Sequence, residues 1–346
     1  MLSTIMDCRR SKLLLISLFS VLMFSCSSNE EASRLVSGEA LGTTYHITYF
    51  SEDDLELETA LDSIFERVNQ SMSTYRENSD ISRLNRGEEV QVDTLFRNVF
   101  ILSEEVNRES GGYFDPTVGN LVNFYGFGPQ KALKEVDSAT LDSLMQYVGI
   151  GKIKISSEGI VTKSAPEVYL DFNAIAKGYT VDLVGHYLDS HDVENYLVEI
   201  GGELLAKGRN PEKDAAWLVG IDDPEQTEAQ RTLTAGVKLL DRAMATSGNY
   251  RKNRMDEETG KMYVHTVNPL TGKAEKSDVL SASVLAENCA LADAYATTFM
   301  AMGFEASKEL LQELDDVDAF LIYAREDGSM GKFATEGFEE VLVDLD

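Results

Sequence analysis

The chain has 346 residues, with 31 lysines and arginines against 59 aspartates and glutamates and a net charge of −28. A surface of that sign repels phosphate backbones, which excludes non-specific nucleic-acid binding. It also means that any phosphorylated ligand must find local cations, helix N-termini or a metal to offset the protein's own field.

Residues 1–25 have the three parts of a secretory signal: Arg9, Arg10 and Lys12, an apolar run from Leu13 to Phe24, and small residues before a cysteine. The run is about a dozen residues, and a bilayer-spanning helix needs roughly 20, so cleavage is predicted rather than a permanent span. Leu22-Met23-Phe24-Ser25-Cys26 resembles a lipobox, with Cys26 lipidated as the first mature residue. A plain secretory signal with an incidental cysteine is the alternative. Residues 26–33 read as a polar tether with nothing to bury. Cys8 would leave with the signal and Cys26 would carry lipid, which leaves Cys289 as the single thiol and no internal disulfide. Residues 34–346 then form one large domain or two packed lobes, held by a hydrophobic core.

Along that body, residues 34–50 alternate toward a strand around Thr44–Phe50, and Leu55, Leu61, Ile64, Phe65 and Val68 give residues 54–72 helical spacing. A second helix runs from about Val92 to Ser110, stopped by Gly111-Gly112. Strands are predicted at Ile153–Ile155, Val168–Phe172 and Asn195–Ile200, and a helix after Lys177 with Val181, Val184 and Leu188 on one face. Strands near Trp217–Ile221 and Leu280–Leu285 precede helices at Ala290–Met302 and Ala306–Glu313, with a closing strand at Ala319–Tyr323. Strands and helices interleave without the beat of a βαβ repeat, so the fold class is α+β.

Six segments carry chemistry. Met72-Ser73-Thr74-Tyr75-Arg76, followed by Ser79, Ile81 and Asn85, is by itself a Ser/Thr-rich turn between helices. Gly112-Tyr113-Phe114-Asp115-Pro116-Thr117-Val118-Gly119 leads into Phe124-Tyr125-Gly126-Phe127-Gly128. Aromatics spaced by glycines suit a flat ring system lying on backbone, and equally an aromatic core cluster. Asp171-Phe172-Asn173-Ala174-Ile175-Ala176-Lys177-Gly178-Tyr179, then Asp182, places an acid, a small-residue turn and a lysine at a helix start, which can receive phosphate. The spacing is not that of a Walker loop. If Lys177 meets phosphate, its truncation should weaken ligand binding and leave the unliganded chain as stable as before. Gly201-Gly202-Glu203 is a turn after an apolar strand. Ala245-Thr246-Ser247-Gly248-Asn249-Tyr250 is followed by Val264-His265-Thr266-Val267-Asn268-Pro269-Leu270-Thr271-Gly272. Last comes Asn288-Cys289-Ala290-Leu291-Ala292-Asp293-Ala294-Tyr295-Ala296-Thr297, where Asp293 and Thr297, four apart, share one helix face. A carboxylate, a hydroxyl and a main-chain carbonyl make an oxygen-only set that suits Mg²⁺.

In this order, together with Gly42-Thr43, the segments resemble the ApbE family of FAD:protein FMN transferases, from about Gly42 to Gly303. The resemblance implies FAD contacts at Leu41, Tyr75, Tyr113, Phe114, Asp115, Asp171, Lys177 and Val267. It implies a metal set of the Ala174 carbonyl, Asp293, Ala296 and Thr297. There are departures: Leu41 stands where Met is frequent, Ala296 has no side-chain donor, and Asn249 and Asn268 replace what is commonly Asp. The implied reaction moves FMN from FAD to a Ser or Thr hydroxyl with Mg²⁺ and releases AMP, with His265 as the base and Asp293 on the metal. The implied partner is an exported or membrane flavoprotein subunit of a redox complex. The protein itself is expected to be lipid-anchored to a bacterial membrane and to face the periplasm or another extracytoplasmic side. Hydrolysis of FAD at the same site and a non-catalytic flavin-binding lipoprotein are the alternatives. A solute-binding lipoprotein would leave Asp293, Thr297 and Lys177 unexplained.

Overall fold

A computed structural model describes residues 32–130, 137–224, 232–248, 253–255 and 262–344. The signal sequence, Cys26 and Asn249 lie outside these residues. Fifteen strands are described: β1 Ala32–Ala40, β2 Thr43–Ser51, β3 Ile153–Ile155, β4 Val161–Lys163, β5 Asn195–Ile200, β6 Glu203–Lys207, β7 Trp217–Asp222, β8 Leu233–Leu239, β9 Ala243–Gly248, β10 Asn253–Met255, β11 Met262–Val264, β12 Val279–Ala286, β13 Asp318–Ala324, β14 Met330–Ala334 and β15 Leu342–Val343. The helices are α1 Leu57–Met72, α2 Asp80–Asn85, α3 Thr94–Glu109, α4 Gly119–Tyr125, α5 Ser138–Met145, α6 Ala176–Asp189, α7 Cys289–Met302, α8 Phe304–Leu310 and α9 Glu336–Glu339.

Eight strands form one antiparallel sheet in the order β1-β2-β5-β6-β9-β12-β13-β14, and a smaller sheet has the order β15-β8-β7. Side chains alternate between the faces of a strand, and the central strands are apolar on both. Ala282 and Val284 of β12 and Leu321 of β13 pack on the helical side with α3, α6 and α7. Leu285, Phe320 and Ile322 pack on the other side against Trp217, Val237 and Phe338. The result is three layers: helices, large sheet, small sheet. β12 and β13 therefore read as near-continuous apolar runs, as expected of strands covered on both faces.

The helices predicted over 54–72, 92–110, after Lys177 and over 290–302 are present, and Val181, Val184 and Leu188 are fully buried on α6. Two expectations are corrected. The first strand of the large sheet takes in Ala32 and Ser33, which the sequence reading assigned to the tether. It pairs with β2 through a tight turn in which Leu41 (φ 53°) and Gly42 (φ 75°) are both left-handed, as a two-residue hairpin requires.

Residues 168–172 are not a strand. Val168, Leu170 and Phe172 are buried at every second position, which is the pattern the sequence shows. Their backbone, however, makes only an isolated bridge from Tyr169 to Val118, and side chains take several of its groups. The Asn85 amide donates to the Leu170 carbonyl (2.8 Å) and accepts from its N–H (2.9 Å), and Lys163 Nζ donates to the Val168 carbonyl (3.0 Å). The Asp171 N–H goes to the Pro116 carbonyl at 2.7 Å.

Candidate active site

Residues 73–85 form a knot of hydroxyl contacts. Ser79 Oγ donates to the Ser73 carbonyl (2.6 Å) and accepts the Ser82 N–H (3.2 Å), capping α2, while Ser82 Oγ also donates to the Ser73 carbonyl. The knot leaves Tyr75 projecting, 61% exposed, with its hydroxyl 3.5 Å from the Phe127 carbonyl. Desolvation, followed by the charge of Asp171, raises the Tyr75 pKa.

The aromatic and glycine segment divides in two. Phe124 and Tyr125 are buried in a small separate core with Leu121, Tyr263, Val267 and Ala274, and Tyr125 donates to the Gly272 carbonyl at 3.0 Å. Phe114 is buried in the main core. Tyr113 and Phe127 keep partial exposure and, with Tyr75, are the rings of these segments that a ligand can reach. Asp115 is 8% exposed and committed to the loop: it accepts from the Thr117 N–H (2.8 Å), the Thr117 hydroxyl and the Ile150 N–H (2.8 Å). Burial raises its pKa against those bonds.

Asp171 repeats the pattern one segment on. It is buried, its pKa is raised by desolvation, and it accepts from the Asn173 N–H (2.7 Å) and amide (3.1 Å). That turn delivers Ala174 and Lys177 to the start of α6. The helix has no side-chain cap of its own at Ile175. Instead the Gly178 N–H, in its first turn, donates to Asp293 Oδ2 of α7 at 3.1 Å.

Lys177 forms an ion pair with Glu203 of β6, whose side chain is 3% exposed. Glu203, given no role by the sequence pattern, supplies Lys177 with a partner inside the protein, which bears against the expectation that losing Lys177 would hardly move the stability of the unliganded chain. The Gly201-Gly202 turn that presents Glu203 is fixed by Glu199, which accepts the Gly202 N–H (2.7 Å). The same carboxylate lies 2.9 Å from His46 Nδ1.

On α7, Asp293 is 3% exposed and Thr297 half-buried. Thr297 Oγ1 lies 3.4 Å from Ser247 Oγ on β9, so the hydroxyl of Ser247 joins the set. Ala296 is fully buried in the main core and sits mid-helix, where its carbonyl belongs to the helical ladder. Asp293 Oδ2 takes the Gly178 N–H, and Oδ1 is the atom left for a cation. Among the described residues no group of three or more His, Cys, Asp or Glu side chains could hold a metal. The site's chemistry is thus one carboxylate with neutral oxygens. That fits Mg²⁺, which takes one or two carboxylates and completes its shell with water and phosphate, better than a metal needing several imidazoles or thiolates.

His265 follows β11 and is half-buried. Asn268 shapes the loop after it, accepting from the Leu270 N–H (2.9 Å) and Thr271 N–H (3.2 Å) while its amide donates to the Ala301 carbonyl at the end of α7 (3.2 Å). A carboxylate could not make that last bond, which gives Asn at this position a physical reason.

These contacts join Lys177, Glu203, Asp293, Thr297 and Ser247 at the meeting of α6, α7, β6 and β9, with Asp171 in the turn that opens α6. Residues 41–321 match the ApbE family. The FAD:protein FMN transferase of Vibrio cholerae is 36% identical over 337 residues, 95% of this chain and 98% of the relative. That of Haemophilus influenzae is 33% identical over 310 residues, 86% of this chain and 88% of the relative. The structure described as flavin transferase ApbE from Vibrio cholerae superposes with a TM-score of 0.79 at 34% identity, covering 90% of this chain and 99% of its own. Sequence, fold and the order of the site segments agree: the chain belongs to the ApbE family.

Proposed function

We infer that the chain is an FAD:protein FMN transferase that moves FMN from FAD onto a serine or threonine hydroxyl of an exported flavoprotein and releases AMP. The observation that carries this reading is the joining of Lys177 and Asp293 through the first turn of α6, beside Thr297 and Ser247. It sets one cation and a cluster of oxygens in an otherwise acidic molecule, which is what a pyrophosphate needs. Tyr75, Tyr113 and Phe127 offer ring faces and edges to the isoalloxazine.

In the reaction the acceptor oxygen attacks the FMN-side phosphorus, a new phosphoester bond forms, and the bond to the AMP phosphate breaks. The hydroxyl proton passes to His265 Nδ1 or Nε2, the site's candidate base. Lys177 holds the pyrophosphate against the negative field of the protein. Mg²⁺, held by Asp293, Thr297 and the Ala174 carbonyl, would offset phosphate charge and make AMP a better leaving group. Positioning and electrostatics supply most of the rate, as in other phosphoryl transfers.

The acceptor is a membrane redox-complex subunit carrying a short Ser/Thr motif, and Cys26 lipidation keeps the enzyme beside it on the extracytoplasmic face. No helix among the described residues is long and apolar enough to cross a membrane, which leaves anchoring to the N-terminus in this reading. The test is incubation with FAD, Mg²⁺ and a candidate acceptor, followed by intact mass. A gain equal to FMN less water is expected. Release of free FMN with an unmodified acceptor would make the chain a hydrolase instead, and a stoichiometric flavin complex without AMP would make it a binding protein.

A further inference from the structure

The two helices that carry the site cap one another. Asp293 of α7 accepts the Gly178 N–H in the first turn of α6, at 3.1 Å. Asp182 of α6 accepts the first two N–H groups of α7, Cys289 at 2.7 Å and Ala290 at 2.9 Å. Asn288 accepts the third, from Leu291, at 2.9 Å. The exchange is possible only because the backbones touch. A Cβ on Gly178 would run into the Cys289 carbonyl and lie 2.9 Å from Ala290 Cα. The four orphan N–H groups that begin a helix are usually satisfied from within the same chain segment or by water. Here each helix instead sends a carboxylate to the other.

Asp293 lies one turn beyond the amides held by Asp182, and Thr297 one turn further. The rotation and height of α7 against α6 therefore decide where both oxygens stand relative to Ala174 and Lys177. We propose that Asp182 and Gly178 are positioning residues for the cation and pyrophosphate: the Asp182–α7 bonds and the Gly178 contact lock α7 in the one register that puts Asp293 at the α6 terminus. Asp182 touches no substrate. It is 7% exposed and sits beneath a cleft of about 420 Å³ lined also by His186, Asp189 and Lys207.

This proposal rests on the Mg²⁺ reading above, and its test separates the two. ADP, an unreactive pyrophosphate, is titrated calorimetrically into the full chain with and without Mg²⁺, and the factor by which Mg²⁺ tightens ADP is compared between variants. In the wild type that factor should be roughly tenfold or more, about 1.4 kcal/mol. In Asp293→Ala it should fall to about one, because the carboxylate is the charged member of the set. Asp182→Ala should lose most of the factor while ADP affinity without Mg²⁺ changes less than about twofold. Asp182→Asn, which keeps one acceptor oxygen, should recover much of it. Gly178→Ala, which pushes the helices apart while leaving both Asp182 and Asp293 in the chain, should behave like Asp182→Ala and gives an answer should that variant not fold. A wild-type factor in folded Asp182→Ala and Gly178→Ala, with Asp293→Ala at one, overturns the positioning role and leaves the metal reading standing. A wild-type factor in Asp293→Ala overturns the metal reading, and the positioning role with it. An equal loss of ADP affinity with and without Mg²⁺ in Asp182→Ala makes Asp182 a general brace of the fold and also overturns the proposal.

Discussion

Lys177 is proposed to do two jobs, which a single truncation removes together and a double variant separates. Facing the pyrophosphate, it is worth a charge-assisted hydrogen bond, about 1.5–3 kcal/mol, so Lys177→Ala should weaken FAD binding by about tenfold to over a hundredfold. Paired with buried Glu203, it also stabilises the unliganded chain, and the same variant should unfold about 1.5–3 kcal/mol more easily, the range for one hydrogen bond to a charged group. The double variant Lys177→Ala/Glu203→Gln should recover most of the stability and none of the FAD affinity. Denaturant melts and FAD titrations on the three proteins check this, and a double variant as unstable as the single one would remove Glu203 from the account. Thr297→Val should be milder in transfer assays than Asp293→Ala, because water replaces a neutral oxygen more readily than a carboxylate.

Asp182 adds a pH dependence. Burial and, to a smaller degree, the Asp293 charge raise its pKa from the ordinary aspartate value to about 7, against the pull of the Cys289 and Ala290 N–H groups. A carboxyl whose folded pKa is raised binds its proton more tightly in the folded chain. Its favourable contribution is therefore fully present below about pH 4 and is lost as pH rises through about 7. Relative to Asp182→Asn, the wild type should lose stability between about pH 4 and about pH 7 and level off above that. His186 lines the same cleft, and Tyr196, Tyr179, Cys289, Asp189, Asp241, Glu287 and Lys207 also face or flank the carboxyl. The comparison belongs in a His186→Gln background, where a flat difference in stability across the range would count against a raised Asp182 pKa.

Among the elements, the long helices and the central strands were legible because one period dominates each. Val181, Val184 and Leu188 recur at helical spacing with no competing pattern, and β12 is a short apolar run bounded by turns. Residues 168–172 were not legible. Their alternation is that of a strand, but the groups that satisfy their backbone are Asn85, about 85 residues away, and Lys163, and no local pattern reports a distant amide. Asn85→Ala should therefore do more than an ordinary surface change. It leaves a buried N–H and a buried carbonyl of Leu170 without their partner, at a cost of about 1–3 kcal/mol each before water compensates. Hydrogen exchange should locate the loss at residues 168–172 and the Asp171 turn. Uniform loosening of α1 or α3 instead would mean that Asn85 serves its own helix. The partner choice of Glu203 was invisible for the same reason. A glutamate after two glycines reads as a solvated turn until the fold brings a lysine from 26 positions upstream to meet it. The motif segments themselves were readable in sequence, and the hydrogen bonds that make Asp115 a loop-holding residue were not.

At the level of the whole molecule, the three layers explain how the described residues hold together with a single cysteine that is a free thiol. Cys289 is wholly buried, and its pKa is pushed well up by desolvation and by the surrounding Asp182, Glu203 and Asp293, so it behaves as a small apolar side chain. The lipid anchor is a separate expectation carried by residues that precede the described fold. Cys26→Ser should yield an exported protein that takes up no labelled fatty acid and leaves the membrane fraction, with the transfer chemistry intact in solution. Unchanged labelling and fractionation would dismiss the anchor.

The first hairpin then sets a working radius. β1 has nine residues, and at about 3.4 Å per residue its far end lies about 30 Å from its start. That far end is the Leu41–Gly42 turn. Cys26 to Glu31 add six residues, at most about 20 Å when fully stretched. With Cys26 held in lipid, the turn cannot stand more than about 50 Å above the bilayer, whatever the tilt of the body. On the proposed reading, the tether then limits how high above the bilayer an acceptor can present its serine or threonine, by this ceiling plus the distance from the turn to the site. Each residue added to the tether would raise the ceiling by about 3.5 Å.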